Sequence, residues 1–363
     1  MPPTATADPT PRTTSPAASS GFHTVAICST LAVLSVVSML IAIGYGSAHV
    51  SVPDATRYLW AAIAGDTIES HELTTYQIVW QIRTPRVLLA AVVGAGLGSV
   101  GVAVQALVRN ALADPFVLGI SSGASVGAVV VTAFGLLASL SIYAMSVGAF
   151  LGALAATVLV YAAATGHTGV SPLRLVLIGV AMSFGFQAVT SVIIYLQPST
   201  EATSTVLFWS MGSFGAATWA ALPLVAGVVA IGTVWLWRRS RTLDLLSLGD
   251  ESAASLGVDA ARHRTILFGV ASLMTAAMVA VSGAIGFVGL VVPHIVRLVV
   301  GAAHVRVLAV APLAGAILMV WVDLLSRTVV APRELPLGAV TALIGVPVFV
   351  MLMRRRTYVF ESR

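Results

Sequence analysis

Long apolar runs follow one another along this chain and leave it few ways to fold. A bilayer-spanning helix needs about 20 apolar residues. Such runs occupy 24–44, 85–107, 117–137, 143–164, 173–195, 219–237, 307–327 and 336–353. A longer one covers 265–300. As a single helix it would reach roughly 54 Å at about 1.5 Å per residue, against a hydrocarbon core of about 30 Å. Its Gly283, Gly286, Gly289 and Pro293 suit a break. It therefore predicts a full span followed by a shorter helix, which makes ten spans in an all-α, polytopic membrane protein. Composition agrees, with 58% hydrophobic and only 9% charged residues; a soluble domain has about 25% charged.

All 19 basic residues are arginines. With ten spans and the N-terminus inside, Arg12, Arg109, Arg174, Arg238, Arg239, Arg241, Arg262, Arg264, Arg306, Arg354, Arg355, Arg356 and Arg363 fall on the cytoplasmic side. Arg57, Arg83, Arg86, Arg327 and Arg333 fall outside, and Arg297 is ambiguous. That asymmetry follows the positive-inside rule and puts both termini in the cytoplasm. Nine spans would strand Arg354–Arg356 outside. The arginines are scattered between apolar runs rather than gathered on one face, so the net charge of +5 sets topology and does not point to nucleic acid.

The missing lysine excludes several chemistries. A P-loop needs its lysine to reach the β- and γ-phosphates, and Schiff-base enzymes need a lysine amine. The one cysteine, Cys28, allows no internal disulfide. The seven histidines form no i, i+4 pair and no cluster with carboxylates, so no metal site is expected. No bound cofactor is expected either.

Residues 1–22 are rich in Pro, Thr, Ser and Ala and read as a disordered cytoplasmic tail. The apolar run behind them is too long for a signal peptide. The membrane domain is expected over 23–356, with a short cytoplasmic tail at 357–363. Small residues recur four apart at Gly94 and Gly98, at Gly119, Gly123 and Gly127, and at Gly148 and Gly152. That spacing lets helices approach closely. Two polar insertions interrupt the pattern. One, 46–83, holds a short amphipathic piece near 55–64. The other, 238–264, carries five arginines and four acids. It predicts two short helices broken at Gly249 and Gly257, with Asp250 as N-cap of the second. Leu243, Leu245, Leu246 and Leu248 give the first an apolar side. Such a helix pair suits docking of a soluble partner.

Four blocks of sequence carry a family resemblance: RTPRVLLAAVVGAGLGSVGVAVQALVRNALADPFVLGISSGASVGA at Arg83–Ala128, LGDESAASLGV at Leu248–Val258, GAIGFVGLVVPHIVRLVVG at Gly283–Gly301 and ELPLGAVTALIGVPVFVMLMRR at Glu334–Arg355. In this order they resemble the FecCD family of permeases, from type II ATP-binding-cassette importers of ferric siderophores, haem and vitamin B12. Ala111 departs from it, standing where the family usually has proline, which should loosen that turn.

The resemblance implies the type II importer permease fold, with two related halves of opposite orientation, in the cytoplasmic membrane of a bacterium. It implies a second permease subunit (a copy or a paralogue), two cytoplasmic ATPases and an extracytoplasmic binding protein. ATP and Mg would be used by the ATPase partner. Residues of the coupling segment would be Leu248, Gly249, Asp250, Glu251, Ala254, Leu256 and Gly257. Arg83, Arg86 and Arg327 would receive acidic groups of the binding protein, a task for which the planar guanidinium is suited. Ferric siderophore is the expected cargo.

Single residues fill in the picture. Asp323 lies inside an apolar run, where an acid is a functional candidate, and a proton-coupled carrier would need one. Arg327 stands four residues on, which favours an intrahelical ion pair. Asp114 before Pro115 can cap a helix, and with Asn110 it stands where a gate near the cytoplasmic face would lie. Gln105, Met182 and Gln187 are candidate pathway-lining residues. Gly119, Gly123, Pro293, His294, Glu334 and Pro336 are read as structural.

Overall fold

A computed structural model describes residues 16–46, 50–166 and 169–355, and these are almost entirely helical. In chain order the helices are α1 (Pro16–Gly44), α2 (Val52–Ala64), α3 (Leu73–Gln77), α4 (Thr84–Leu107), α5 (Ile120–Phe134), α6 (Ala144–Ala164), α7 (Pro172–Leu196), α8 (Thr200–Ser210), α9 (Leu222–Arg238), α10 (Ser240–Ser247), α11 (Asp250–Ser255), α12 (Ala260–Ser282), α13 (Val288–Val300), α14 (His304–Thr328) and α15 (Leu337–Arg355). A two-residue pair, Thr165–Gly166 (β1) with Gly169–Val170 (β2), joins α6 to α7. Helix α1 begins inside the stretch expected to be a tail; residues 1–15 and 356–363 lie outside the described ones.

Among the described residues, length and composition supply six membrane-crossing helices, or seven if α9 and α10, bent by 62°, count as one span. The expected ten is not reached by this measure, and the reason is local. The run at 117–137 starts with a 3-10 turn at Pro115–Leu118 and a left-handed Gly119, so α5 keeps only 15 residues. The run at 265–300 breaks at 283–287, where Gly283 and Phe287 both have positive φ. Pro293 sits inside α13 and not at the break. At 13 residues α13 is about 20 Å long, short of a bilayer core. Together with the apolar part of α15, these form three shorter apolar helices.

Helix α4 lies at the centre, against α14, α13, α12 and α9, while α5 and α6 form a second close pair with α7 beside them. Close approach explains the small-residue spacing. A Cβ on Gly94 would fall inside the carbonyl of Gly315, and the reverse holds, so α4 and α14 touch backbone to backbone. Gly123 and Gly127 meet Gly152 and Gly148 in the same way at the α5–α6 contact. Gly119 does something else: its φ of 79° makes the turn into α5.

At one end of the bundle, charge replaces small residues as the organiser. Arg86 donates from Nε to Asp323 Oδ1 at 2.8 Å and from its two terminal nitrogens to both oxygens of Glu334 at 2.6 and 3.0 Å. Arg327 lies 3.4 Å from the other oxygen of Asp323 and donates to the carbonyl of Ala42. Arg83 donates to the carbonyls of Ile43 and Gly44 at 3.1 and 2.8 Å. The last carbonyls of a helix have no partner of their own. Here Arg83 and Arg327 supply partners for those of α1, so three helices and the segment before α15 share one network.

Two outcomes follow. Gly94→Val should destabilise the bundle by about 1–3 kcal/mol or more, the cost of overpacking a closed contact, and a thermal melt in detergent that matches wild type would contradict the contact. Asp323→Ala should cost about 3–5 kcal/mol, because it strands buried guanidinium groups; chemical unfolding followed by tryptophan fluorescence measures it, and a loss under about 1 kcal/mol would be too small for a buried pair.

Candidate functional site

The polar insertion 238–264 builds a platform at the opposite end. Helix α10 leaves α9 at a sharp bend and buries Leu243 and Leu246. Leu248, expected on the same apolar side, is exposed, because the buried spacing of three residues leaves it on the other face. Gly249 at φ 110° ends α10, and Gly257 at φ 78° ends α11, so a six-residue helix hangs between two residues in glycine-favouring conformations. Its Glu251 and Ala254 are exposed, as are Leu256 and Gly257 at its end. The result is a small exposed surface with two large apolar side chains, Leu248 and Leu256.

Asp250 was expected to cap α11. Gly249 occupies the cap position, and Asp250 is the first helical residue with its carboxylate turned away. It accepts from the two terminal nitrogens of Arg264 at 2.5 and 3.3 Å. This guanidinium holds the Asp250 carboxyl below its ordinary range. Asp244 does the capping that Asp250 does not, but for another helix. It accepts from the backbone N–H of His304 at 3.0 Å and pairs with His304 Nδ1 at 2.6 Å, which fastens α10 to the start of α14.

The loop from α4 to α5 meets this platform. Arg109 has positive φ (53°), and its guanidinium lies over Gly249, where a Cβ would come within 3.3 Å of it. The side chain of Asn110 accepts from the N–H of Leu112 at 2.9 Å. This asparagine turn spans Ala111 with a side-chain hydrogen bond of its own. Gln105, Arg109, Asn110, Asp244, Arg297 and His304 line a cleft of about 440 Å³. Gln105 is buried, donates to the carbonyl of Leu290 at 3.2 Å and accepts from Arg297. It ties α4 to α13, and its amide is used on that contact.

Asp114 is buried and accepts from the N–H of Phe116 at 2.9 Å, capping the 3-10 turn, and from that of Phe287, where α13 begins. Burial pushes its carboxyl up to about 6 against these two hydrogen bonds. Pro115 packs against Gly289, where a Cβ would come within 2.7 Å of its ring. One acid therefore joins the α4–α5 loop to the broken segment. His294 is buried within α13. Met182 is half-buried and Gln187 exposed on α7, which packs against α5 and α6; the structure does not gather them with Gln105 into one lining. Among the described residues no three His, Cys, Asp or Glu side chains converge to hold a metal ion.

The three arginines expected to dock a binding protein are not presented for it. Arg83, Arg86 and Arg327 are 4, 7 and 9% exposed and engaged in the network described above. For Arg86 and Arg327 the cause is charge pairing with the fully buried Asp323 and, for Arg86, the half-buried Glu334; Arg83 is held by the carbonyls of Ile43 and Gly44. Arg57 and Arg333 are exposed instead. Pro336 stands just before α15, its carbonyl accepting from Ala339 and Val340 at 3.1 Å. Sequence reasoning missed Arg264, Arg109 and the Asp244–His304 pair. The one available signal was arginine at the edge of apolar runs.

Comparison with known proteins matches this architecture. An uncharacterized ABC transporter permease protein (YvrB) of Bacillus subtilis is 39% identical over 324 residues, 88% of this chain and 91% of the relative. The hemin transport system permease protein HmuU of Yersinia pestis is 39% identical over 322 residues, 88% and 93%. Other relatives are named as permeases for cobalamin, molybdate and ferric dicitrate. A solved structure described as a metal-chelate type ABC transporter in an inward-facing conformation superposes with a TM-score of 0.80 at 33% identity, covering 91% of this chain and 99% of that one. The model of the FecCD transport family matches residues 33–355. The chain therefore belongs to the FecCD transport family and is a multi-pass ABC importer permease.

Proposed function

We propose that this permease carries ferric-siderophore-type chelates inward by alternating access, driven by a separate ATPase that docks on α10 and α11. The exposed platform bracketed by Gly249 and Gly257 carries the reading. It presents Leu248, Glu251 and Leu256 to a soluble partner, while Asp244 and Asp250 fasten it to α14 and α12. A chain without lysine supplies no P-loop, so the motor is another polypeptide. The platform end is cytoplasmic in this reading, as the arginine distribution favours. The Arg86 end faces outward, in the cytoplasmic membrane of a bacterium, and receives the binding protein through its rim. Helix α7 is apolar yet almost wholly uncovered, which suits contact with a second permease subunit or with lipid.

Relatives named for hemin, cobalamin and ferric dicitrate all handle a metal inside an organic complex. That supports a chelate as the cargo and leaves cobalamin or haem as the alternative. A proton-coupled carrier is disfavoured because Asp323, the acid it would need, is held by Arg86 and Arg327.

Replacing Asp250–Ser255 with a Gly/Ser linker should abolish copurification of the ATPase and with it transport; retention of both would refute the platform. In a deletion strain, expression of this chain with its ATPase and binding protein should restore uptake of labelled ferric siderophore. Restoration of cobalamin or haem uptake alone would overturn the cargo assignment.

A further inference from the structure

Arg264, the residue that ties Asp250 to α12, makes a second contact that the import reading does not use. It lies in the first turns of α12 and is 3% exposed. One face of its guanidinium holds the Asp250 carboxylate of α11. The same terminal nitrogen that makes the longer of those bonds also donates to the carbonyl of Val170 at 3.1 Å. Val170 is buried and closes the β1–β2 pair, opposite Thr165. Ser171 follows as the N-cap of α7 and Pro172 as its first residue.

From these contacts we infer that Arg264 is a positioning residue that passes displacement of α11 to the foot of α7. The inference rests on the proposed docking of an ATPase on α10 and α11. Three features give it force. Helix α11 hangs between Gly249 and Gly257 and buries only Ala253, so its charged tie to the bundle runs through Asp250. Only Ser171 separates the Val170 carbonyl from a helix whose first φ is fixed by proline, so little slack lies between that carbonyl and α7. Helix α7 packs on α5, α6 and the Pro115–Leu118 turn and is otherwise uncovered, so a shift at its foot meets the bundle on one side alone.

The chemistry makes the joint stiff. Separating a buried guanidinium from its carboxylate leaves an uncompensated charge, so Arg264 follows Asp250 rather than releasing it. The planar fork holds carboxylate and carbonyl at fixed directions at once, which the single nitrogen of a lysine cannot reproduce. On the other side of the hairpin, Tyr161 meets Thr265 in a hydroxyl–hydroxyl hydrogen bond of 2.9 Å and stacks on Phe268. The α6 arm is therefore pinned to α12 independently, and the Arg264 contact acts on the α7 arm.

The test uses the full importer, with its ATPase, in nanodiscs. Cys28 is replaced by serine, and spin labels are placed at Leu177 on α7 and Ile231 on α9, both exposed. Wild type should show an ATP-dependent change in the label distance. Arg264→Gln should still bind the ATPase and hydrolyse ATP within about twofold of wild type. It should lose the distance change and transport at least tenfold less labelled ferric hydroxamate per ATP. Arg264→Lys, which keeps the buried charge, should lower transport per ATP at least threefold, and it decides the case if Arg264→Gln does not assemble. A wild-type distance change and a wild-type transport ratio in the assembled variant would overturn the inference. Failure of the parent chain to bind the ATPase would overturn the docking reading instead, and appears before any Arg264 variant is compared.

Discussion

Asp323 is a fully buried carboxylate in the last turns of an apolar helix, and much of one end of the molecule is arranged around it. An ionised carboxylate in such a place is costly unless it is paired. Arg86 from α4 and Arg327 from α14 meet that need, and each brings obligations of its own. Arg86 has donors left over and takes Glu334, which positions the segment before α15. Arg327 donates to the end of α1, and Arg83 does the same beside it. With apolar helices free to slide against one another in a bilayer, such pairs set register, while glycines such as Gly94 and Gly315 set distance.

The opposite end follows the same rule with smaller groups. Asp250 and Asp244 each reach from the 238–264 platform to a different helix, α12 and α14. Asp114 spans from the α4–α5 loop to the start of α13. Each acid satisfies N–H groups or a guanidinium that belongs to a different element. The platform is thus exposed on one face and wired to two helices of the bundle, α12 and α14, on the other, the arrangement expected of a surface that receives force from a partner.

Much of this was legible in the sequence, and the parts that were not share a cause. Apolar runs marked the helices, and the glycines in 265–300 marked a break because backbone freedom is a local property. Gly123 and Gly127 announced a close helix contact through spacing alone. Gly119 has the same spacing yet makes a turn, since a four-residue step does not say which of its members lies outside the helix. Arg86 read as outward-facing because its burial depends on Asp323 and Glu334, more than 200 residues away in sequence, and Arg83 because its partners are the last carbonyls of α1. Asp250 read as a cap because its neighbours suit capping, while its actual partner, Arg264, sits on another helix. Local chemistry was visible, and pairing across the fold was not.

The absence of lysine gains a structural meaning from these pairs. Arg86 binds two carboxylates, Arg83 two carbonyls, and Arg264 a carboxylate and a carbonyl. Each guanidinium works as a fixed fork that joins separate elements through directed bonds, and burial removes the water that would otherwise compete. An ammonium group could neutralise any one of these acids, but it would concentrate its donors on one flexible nitrogen. In a bundle whose helices are otherwise held by apolar contact, the planar geometry of arginine turns charge neutralisation into a constraint on where helices stand relative to one another.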